Sequence, residues 1–337
     1  MTFYFPALER SRIRFVRLVE PLAQGVSRAL AGVQRLVSAR VSRPIFTMQN
    51  TNVPSSGAEV QPDVERSSGP QPTPTQPTPN QDRWRQSLTL VLAVTQVVAP
   101  GLAIVAKLGT PVGEVSNKFF SAVTPADYAF AIWGLIYPTC LAYGVFQALP
   151  AQRSNPLLRR IGWWAAAAFL ANTVWIPAFQ LEQFWLSVLI IGVTMTSLMG
   201  VLRGFIETRR KLSRAETGLA LLPLSVFAGW ITAATILNVT VALKATGWGA
   251  DLLSPSSWGV LVALVVGALG SVVSLKSRGN WGYGLTLVWA LLGIIVAQAS
   301  SSVGVAAACG VSMVAIVASL WRARVSRAPL VLQPARA

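Results

Sequence analysis

Histidine is absent from all 337 residues. That removes His-ligated zinc, haem on a proximal imidazole, and every Ser-His or Cys-His nucleophile system. Cysteine occurs twice, at Cys140 and Cys309, each inside an apolar run. This spacing excludes a disulfide framework or metal knuckle and marks both as buried thiols. Charge is scarce too, at 12% of the residues, about half the share of a soluble protein. The twelve acidic residues fall in tails, loops or segment ends. The membrane-embedded carboxylate usual in a proton pump or ion-coupled transporter is therefore missing. No catalytic residue set, cofactor or metal is expected.

What fills the chain instead is apolar: 53% is hydrophobic, arranged in long runs after residue 86. Helices are expected at about 87–108, 125–149, 157–179, 184–206, 216–243, 256–275, 281–298 and 303–321. Each approaches or exceeds the roughly 20 residues that cross about 30 Å of hydrocarbon. The expected fold class is all-α, a polytopic membrane bundle of about eight transmembrane helices. Pro100 falls inside the first run and is expected to kink or split it.

A net charge of +16 would suit nucleic acid, but its placement does not. Arg83 and Arg85, Arg153 to Arg160, Arg203 to Arg214, Lys276 with Arg278, and Arg322 to Arg336 lie on alternate connections. The other connections hold only Lys107, Lys118 and Lys244. Such alternation is a positive-inside signal, with both termini cytoplasmic or stromal. The partner expected is the lipid bilayer, not nucleic acid.

Residues 1–86 are expected to be a disordered tail, Arg-rich to residue 47 and then carrying "SSGPQPTPTQPTPNQ". The start resembles an organelle transit peptide; the other reading places the true start of a bacterial protein at Met48. The matching locations are an organelle membrane and the bacterial inner membrane. Residues 326–337 form a C-terminal tail. Several helix starts carry cap chemistry: Ser213 with Glu216 as a capping box, and Asn155-Pro156 and Ser254-Pro255 as cap-then-proline. In "TPAD", Thr124, Pro125 and Asp127 read as N-cap, N1 and N3, which makes Asp127 a cap rather than a functional acid.

Of the twelve tryptophans, eight lie near expected helix ends and suit an aromatic belt. Trp133, Trp175, Trp230 and Trp289 are set deeper. Trp133 and Tyr137 are i, i+4; Asn172, Trp175 and Phe179 share one stripe; Trp230 and Asn238 face one way with Thr235 alongside. With the topology above, all fall in the outer half of the bilayer, Trp133 about 13 Å below its helix start. The 109–124 connection lies over them. A buried Asn amide is costly in hydrocarbon unless paired, so these face protein or ligand. Ligand pocket and packing glue both stay open on this geometry.

Three segments, "TPADYAFAIWGLIY", "ANTVWIPAF" and "WITAATILN", resemble the TspO/MBR family of tryptophan-rich sensory or translocator proteins. The matching residues are Trp133 and Tyr137, then Asn172, Trp175, Pro177 and Phe179, then Trp230, Thr235, Leu237 and Asn238. Tyr128 stands near a tryptophan of the family pattern, shifted by one residue. Over residues 87–245 the resemblance implies a five-helix domain with a cavity near one membrane face, closed by the connection between its first two helices. It implies binding of a tetrapyrrole such as protoporphyrin, held by stacking and shape. The three helices over residues 246–325 have no counterpart in that fold. They carry a small-xxx-small pair, Gly267 and Ser271, suited to a homo-oligomer interface or to covering the pocket.

The function expected is a non-enzymatic membrane receptor, sensor or carrier for a flat hydrophobic ligand. Tyr128, Trp133, Tyr137, Asn172, Trp175, Phe179, Trp230, Thr235 and Asn238 are its ligand-binding residues. The alternative is a facilitator of small neutral solutes without ion coupling.

Overall fold

The structure, a computed structural model, describes residues 79–106, 109–208, 210–247 and 253–326. The expectations for residues 1–78, for the C-terminal tail beyond Ser326, and for Lys107, Arg209 and Trp248 lie outside them.

Helix α1 (Pro79–Val105) starts well before its expected position and runs on through Pro100. Residues 79–86, expected in the disordered tail, are its first turns. A two-turn helix, α2 (Val112–Lys118), sits in the following connection. The run expected as one helix over 125–149 divides into a 3-10 segment, Asp127–Ile132, and α3 (Trp133–Ala148). Then come α4 (Pro156–Gln180), α5 (Phe184–Glu207), α6 (Arg214–Thr246), α7 (Pro255–Lys276), α8 (Trp281–Gln298) and α9 (Val303–Val325). Seven of these, from α3 with its 3-10 lead to α9, are long and apolar enough to cross a membrane. The eighth expected span, α1, has the length and is uncharged from Ser87 to Val105, although it is not counted with the seven among the described residues.

Three expected caps are present. Asn155 accepts from the Leu157 and Leu158 amides, Ser213 and Glu216 close a reciprocal capping box, and Ser254 accepts from Ser257. The "TPAD" start differs. Ala126 is the N-cap residue and no side chain caps the segment. Thr124 Oγ1 instead accepts from the Ser121 amide at 2.9 Å, and the Asp127 carboxylate accepts from Asn117 Nδ2 at 2.8 Å. The Ala126 amide donates to Gly293 O at 3.0 Å, so a neighbouring helix satisfies a group that a local cap was expected to serve. In α6 a π-turn over Thr217–Leu221 directly precedes Pro223. Proline has no amide to return to the preceding turn, and a wider turn removes the need for one.

Helix α4 packs along α1 and α5, α6 lies against α5 and α8, and α9 lies against α7 and α8. Helix α8 therefore joins α7 and α9 to the six helices before them. Its N-cap Asn280 donates to Ser225 Oγ at 2.6 Å, and the Tyr283 and Thr232 hydroxyls are 3.1 Å apart.

At the arginine-rich end a charge knot fastens α1. Asp82 accepts from Arg159 Nη2 at 2.5 Å and from its Nε at 3.0 Å. Arg85 lies 3.5 Å from Asp82 and donates to Gln147 Oε1, Leu158 O and Arg153 O at 3.2–3.3 Å. Both Arg85 and Asp82 are buried, at 1% and 2% exposure. Pairing is what lets these charges leave water, and it extends α1 into what reads as tail.

The small-residue pair builds an internal seam. A Cβ on Gly267 would lie 2.4 Å from Ser312 Oγ in α9, and that hydroxyl already donates to Ala263 O at 2.8 Å. Overpacking there is expected to cost about 1–3 kcal/mol. Gly267→Leu should accordingly lower the unfolding midpoint in detergent; an unchanged midpoint would show that the seam yields.

Candidate functional site

The aromatic residues converge where α3, α4 and α6 meet. Pro177 and Asn172 are placed by α4, which also directs Trp175 and Phe179 along one stripe toward α3 and α6. Trp133 is the centre. Its ring stacks on Tyr137 at 5.0 Å and on Trp175 at 6.4 Å, and meets Phe227 and Trp230 edge-on at 6.3 Å each. Trp175 stacks in turn on Phe179 at 5.4 Å. These separations are those at which ring quadrupoles attract, so the wall is a mutually supporting stack.

Polar groups fix its orientation. Trp175 Nε1 donates to Asn238 Oδ1 at 2.7 Å, Asn238 Nδ2 donates to Ser187 Oγ at 2.8 Å, and Ser187 Oγ donates to Phe184 O at 2.7 Å. The chain crosses from α4 to α6 to α5. Trp230 Nε1 is buried and has no protein acceptor.

Between these groups lies a cavity of about 40 Å3. Trp133, Trp175, Phe179, Trp230 and Asn238 line it, with Phe130, Ala233, Ala234 and Leu237. Val112 and Ser116 of α2, with Val123 and Pro125, form a roof, and Ala290 and Ile294 of α8 close one side. No titratable side chain is among the lining residues. The roof is tied down at its edges: Lys118 pairs with Glu182 at 2.6 Å, Thr110 N donates to Gln180 O at 3.1 Å, and Lys244 Nζ bonds Phe120 O.

The other expected site residues stand elsewhere. Tyr137 backs Trp133 without lining the cavity. Asn172 points to α1, where its Nδ2 donates to Gln96 Oε1 at 3.2 Å; it acts as packing glue. Thr235 Oγ1 bonds back to Ile231 O at 2.7 Å within its own helix. Tyr128 is 39% exposed and meets Trp289 edge-on at 5.4 Å, while Trp289 Nε1 donates to Ala129 O at 3.0 Å. Trp289 thus binds α8 to the 3-10 segment.

Sequence reasoning missed Phe130, although it lies one turn before Trp133. It offered the last three helices as a cover for the pocket without naming Ala290 or Ile294 of α8. Ala290 and Gly293 are small, and a Cβ on Gly293 would sit 2.9 Å from Ala129 Cβ and 3.0 Å from Pro125 Cβ. Small residues at that spacing were the available signal, but they name no partner helix.

The fold and site together define an all-α, integral, multi-pass membrane protein with an uncharged aromatic chamber inside its bundle. A family model described as TSPO-like protein matches residues 86–321, and the chain belongs to that family. The match runs from α1 into α9 and so takes in the helices that the three-segment resemblance left without a counterpart. No curated protein and no solved structure matches the chain.

Proposed function

We propose that the chamber is a receptor site for a flat, largely apolar ligand carrying a hydrogen-bond acceptor, with a tetrapyrrole as first candidate. The protein then acts as a sensor or carrier, not as an enzyme. The observation behind this reading is the stack of Trp133, Trp175 and Phe179 facing Trp230 across an uncharged cavity. Stacking on these rings supplies affinity, and the unpartnered Trp230 Nε1–H supplies a donor for a polar edge of the ligand.

Magnitudes decide how the ligand gets in. A site for a molecule of drug size spans about 300–1,000 Å3, far more than the 40 Å3 of the closed chamber. Binding therefore requires the roof formed by α2 and the 119–125 connection to move outward. The side-chain ties on that roof are exposed, and such pairs contribute about 0–1 kcal/mol each. The ring stack beneath can stay in place while the roof opens.

Protoporphyrin titrated into the purified protein should quench tryptophan fluorescence saturably. Trp175→Ala should weaken that binding by about tenfold or more, since a stacked aromatic contributes on the order of 1–3 kcal/mol. Undiminished affinity in the variant would remove the site assignment. The small uncharged cavity also favours a second reading, a facilitator for a small neutral solute. Solute flux into proteoliposomes that is independent of an imposed ion gradient, in protein that does not bind porphyrin, would establish that reading instead.

A further inference from the structure

On the arginine-rich face five of the described cations have carboxylate partners: Arg85 and Arg159 meet Asp82, Arg160 and Arg203 meet Glu207, and Arg210 meets Glu216. None of these pairs falls in the last three helices. Between residues 253 and 326 the chain has no Asp or Glu, yet Lys276, Arg278, Arg322 and Arg324 gather at one end of that bundle. Arg278 and Arg322 line an open groove of about 440 Å3 with Leu275, Ala323 and Ser326. That volume falls in the range of ligand clefts, about 300–1,000 Å3.

Two plainer accounts explain part of this. Basic residues at helix C-termini complement the macrodipole, which covers Lys276, Arg322 and Arg324 in the last turns of α7 and α9. The positive-inside bias covers the sign of all four. Neither accounts for the backbone position of Arg278. It lies beyond the end of α7 at φ +61°, a left-handed position that glycine occupies at least cost, and Gly279 follows it at +72°. An arginine is held there against the backbone's preference, beside Arg322, and neither guanidinium has a carboxylate partner among the described residues. Arg324 is otherwise engaged, lying 5.9 Å over the Trp281 ring.

We propose that this groove binds a phosphate group, carried by an anionic phospholipid of the arginine-side leaflet. Arg278 and Arg322 donate charge-assisted hydrogen bonds to the phosphate oxygens, for which the guanidinium fork is well shaped. Leu275, 43% exposed at the groove edge, meets the glycerol and first acyl carbons. The charge bias assigns this end to the cytoplasmic side, where anionic lipids attract basic clusters. Free phosphate offers the same oxygens without the chain.

The test uses the full-length protein in neutral detergent, with binding of phosphatidylglycerol, phosphatidylcholine and inorganic phosphate measured by native mass spectrometry and calorimetry. Phosphatidylglycerol should bind in preference to phosphatidylcholine. Arg278→Gln with Arg322→Gln should weaken it about tenfold or more, since charged hydrogen bonds are the strong ones. A charge-matched control, Arg83→Gln with Lys211→Gln, removes exposed cations outside the last three helices and should change affinity less than about twofold, distant charges being screened. Arg278→Gly supplies a second check: it should lose affinity while keeping or raising the unfolding midpoint, the reverse of a structural role. Inorganic phosphate binding as tightly as the lipid, and lost in the same variant, would keep the groove as a phosphate site and assign it a soluble ligand. Equal losses in the groove variant and the control, or no loss in either, would overturn the proposal.

Discussion

Asp82→Asn is expected to lower the stability of the solubilised protein by about 3–5 kcal/mol, the usual cost of leaving one member of a buried ion pair alone. The carboxylate serves two guanidiniums, Arg159 at 2.5 Å and Arg85 at 3.5 Å. Arg85 is 1% exposed and has no route to water. Its remaining partners are neutral, the Gln147 amide oxygen and the carbonyls of Leu158 and Arg153. They satisfy hydrogens but do not cancel charge. Arg203→Gln makes the contrast, because its 2.6 Å bond to Glu207 is made at 80% exposure. Solvent screens so exposed a pair almost completely, so that variant should unfold close to wild type. Chemical unfolding of both in one detergent settles the matter: similar midpoints would mean that α1 does not depend on the knot.

Trp133→Ala is the second large effect, read in two measurements. The indole meets four rings but is only half-buried, so its truncation approaches without reaching the loss of about 3–5 kcal/mol that follows removal of a fully buried aromatic. Stability should fall by that order, and protoporphyrin affinity should fall with it because the central stacking surface is gone. Trp133→Phe separates the two. It keeps a ring at the centre of the stack, so most of the stability should return while ligand affinity stays reduced by the smaller π-surface. Wild-type affinity in both variants would exclude Trp133 from the binding surface, whatever happened to stability.

Much of the bundle was legible because a bilayer imposes strict rules on sequence. Backbone polar groups must be satisfied inside each span, so apolar runs of fixed length announce helices. Seven of the eight expected spans were recovered as long apolar helices, with ends close to the expected ones. Local caps at Asn155, Ser213 and Ser254 were legible for a related reason: cap and amide are two or three residues apart, so no tertiary information is needed. The "TPAD" cap failed where a distant partner intervened. Gly293 O takes the Ala126 amide, and nothing near residue 126 signals it.

The site divides along the same line. Trp133, Trp175, Phe179, Trp230 and Asn238 line one cavity, and helical periodicity is what puts each of them on a common face of its helix. Asn172 was on the right helix and at the right depth but on the α1 side, where Gln96 holds it. Periodicity says which residues share a stripe; it does not say which neighbour the stripe meets.

The sequence by itself determined the class of this protein: apolar runs long enough to span a bilayer, a basic bias to one side, no histidine, and a ring-rich set of faces at one depth. Tertiary structure alone decided the rest. It brought α8 against the 3-10 segment to close the chamber, buried Arg85 by giving it Asp82, and left Arg278 and Arg322 without carboxylates among the described residues. Span and periodicity act within one helix, where geometry is set by the backbone. Chamber volume and charge pairing depend on which helices touch, and that is written only in the packing.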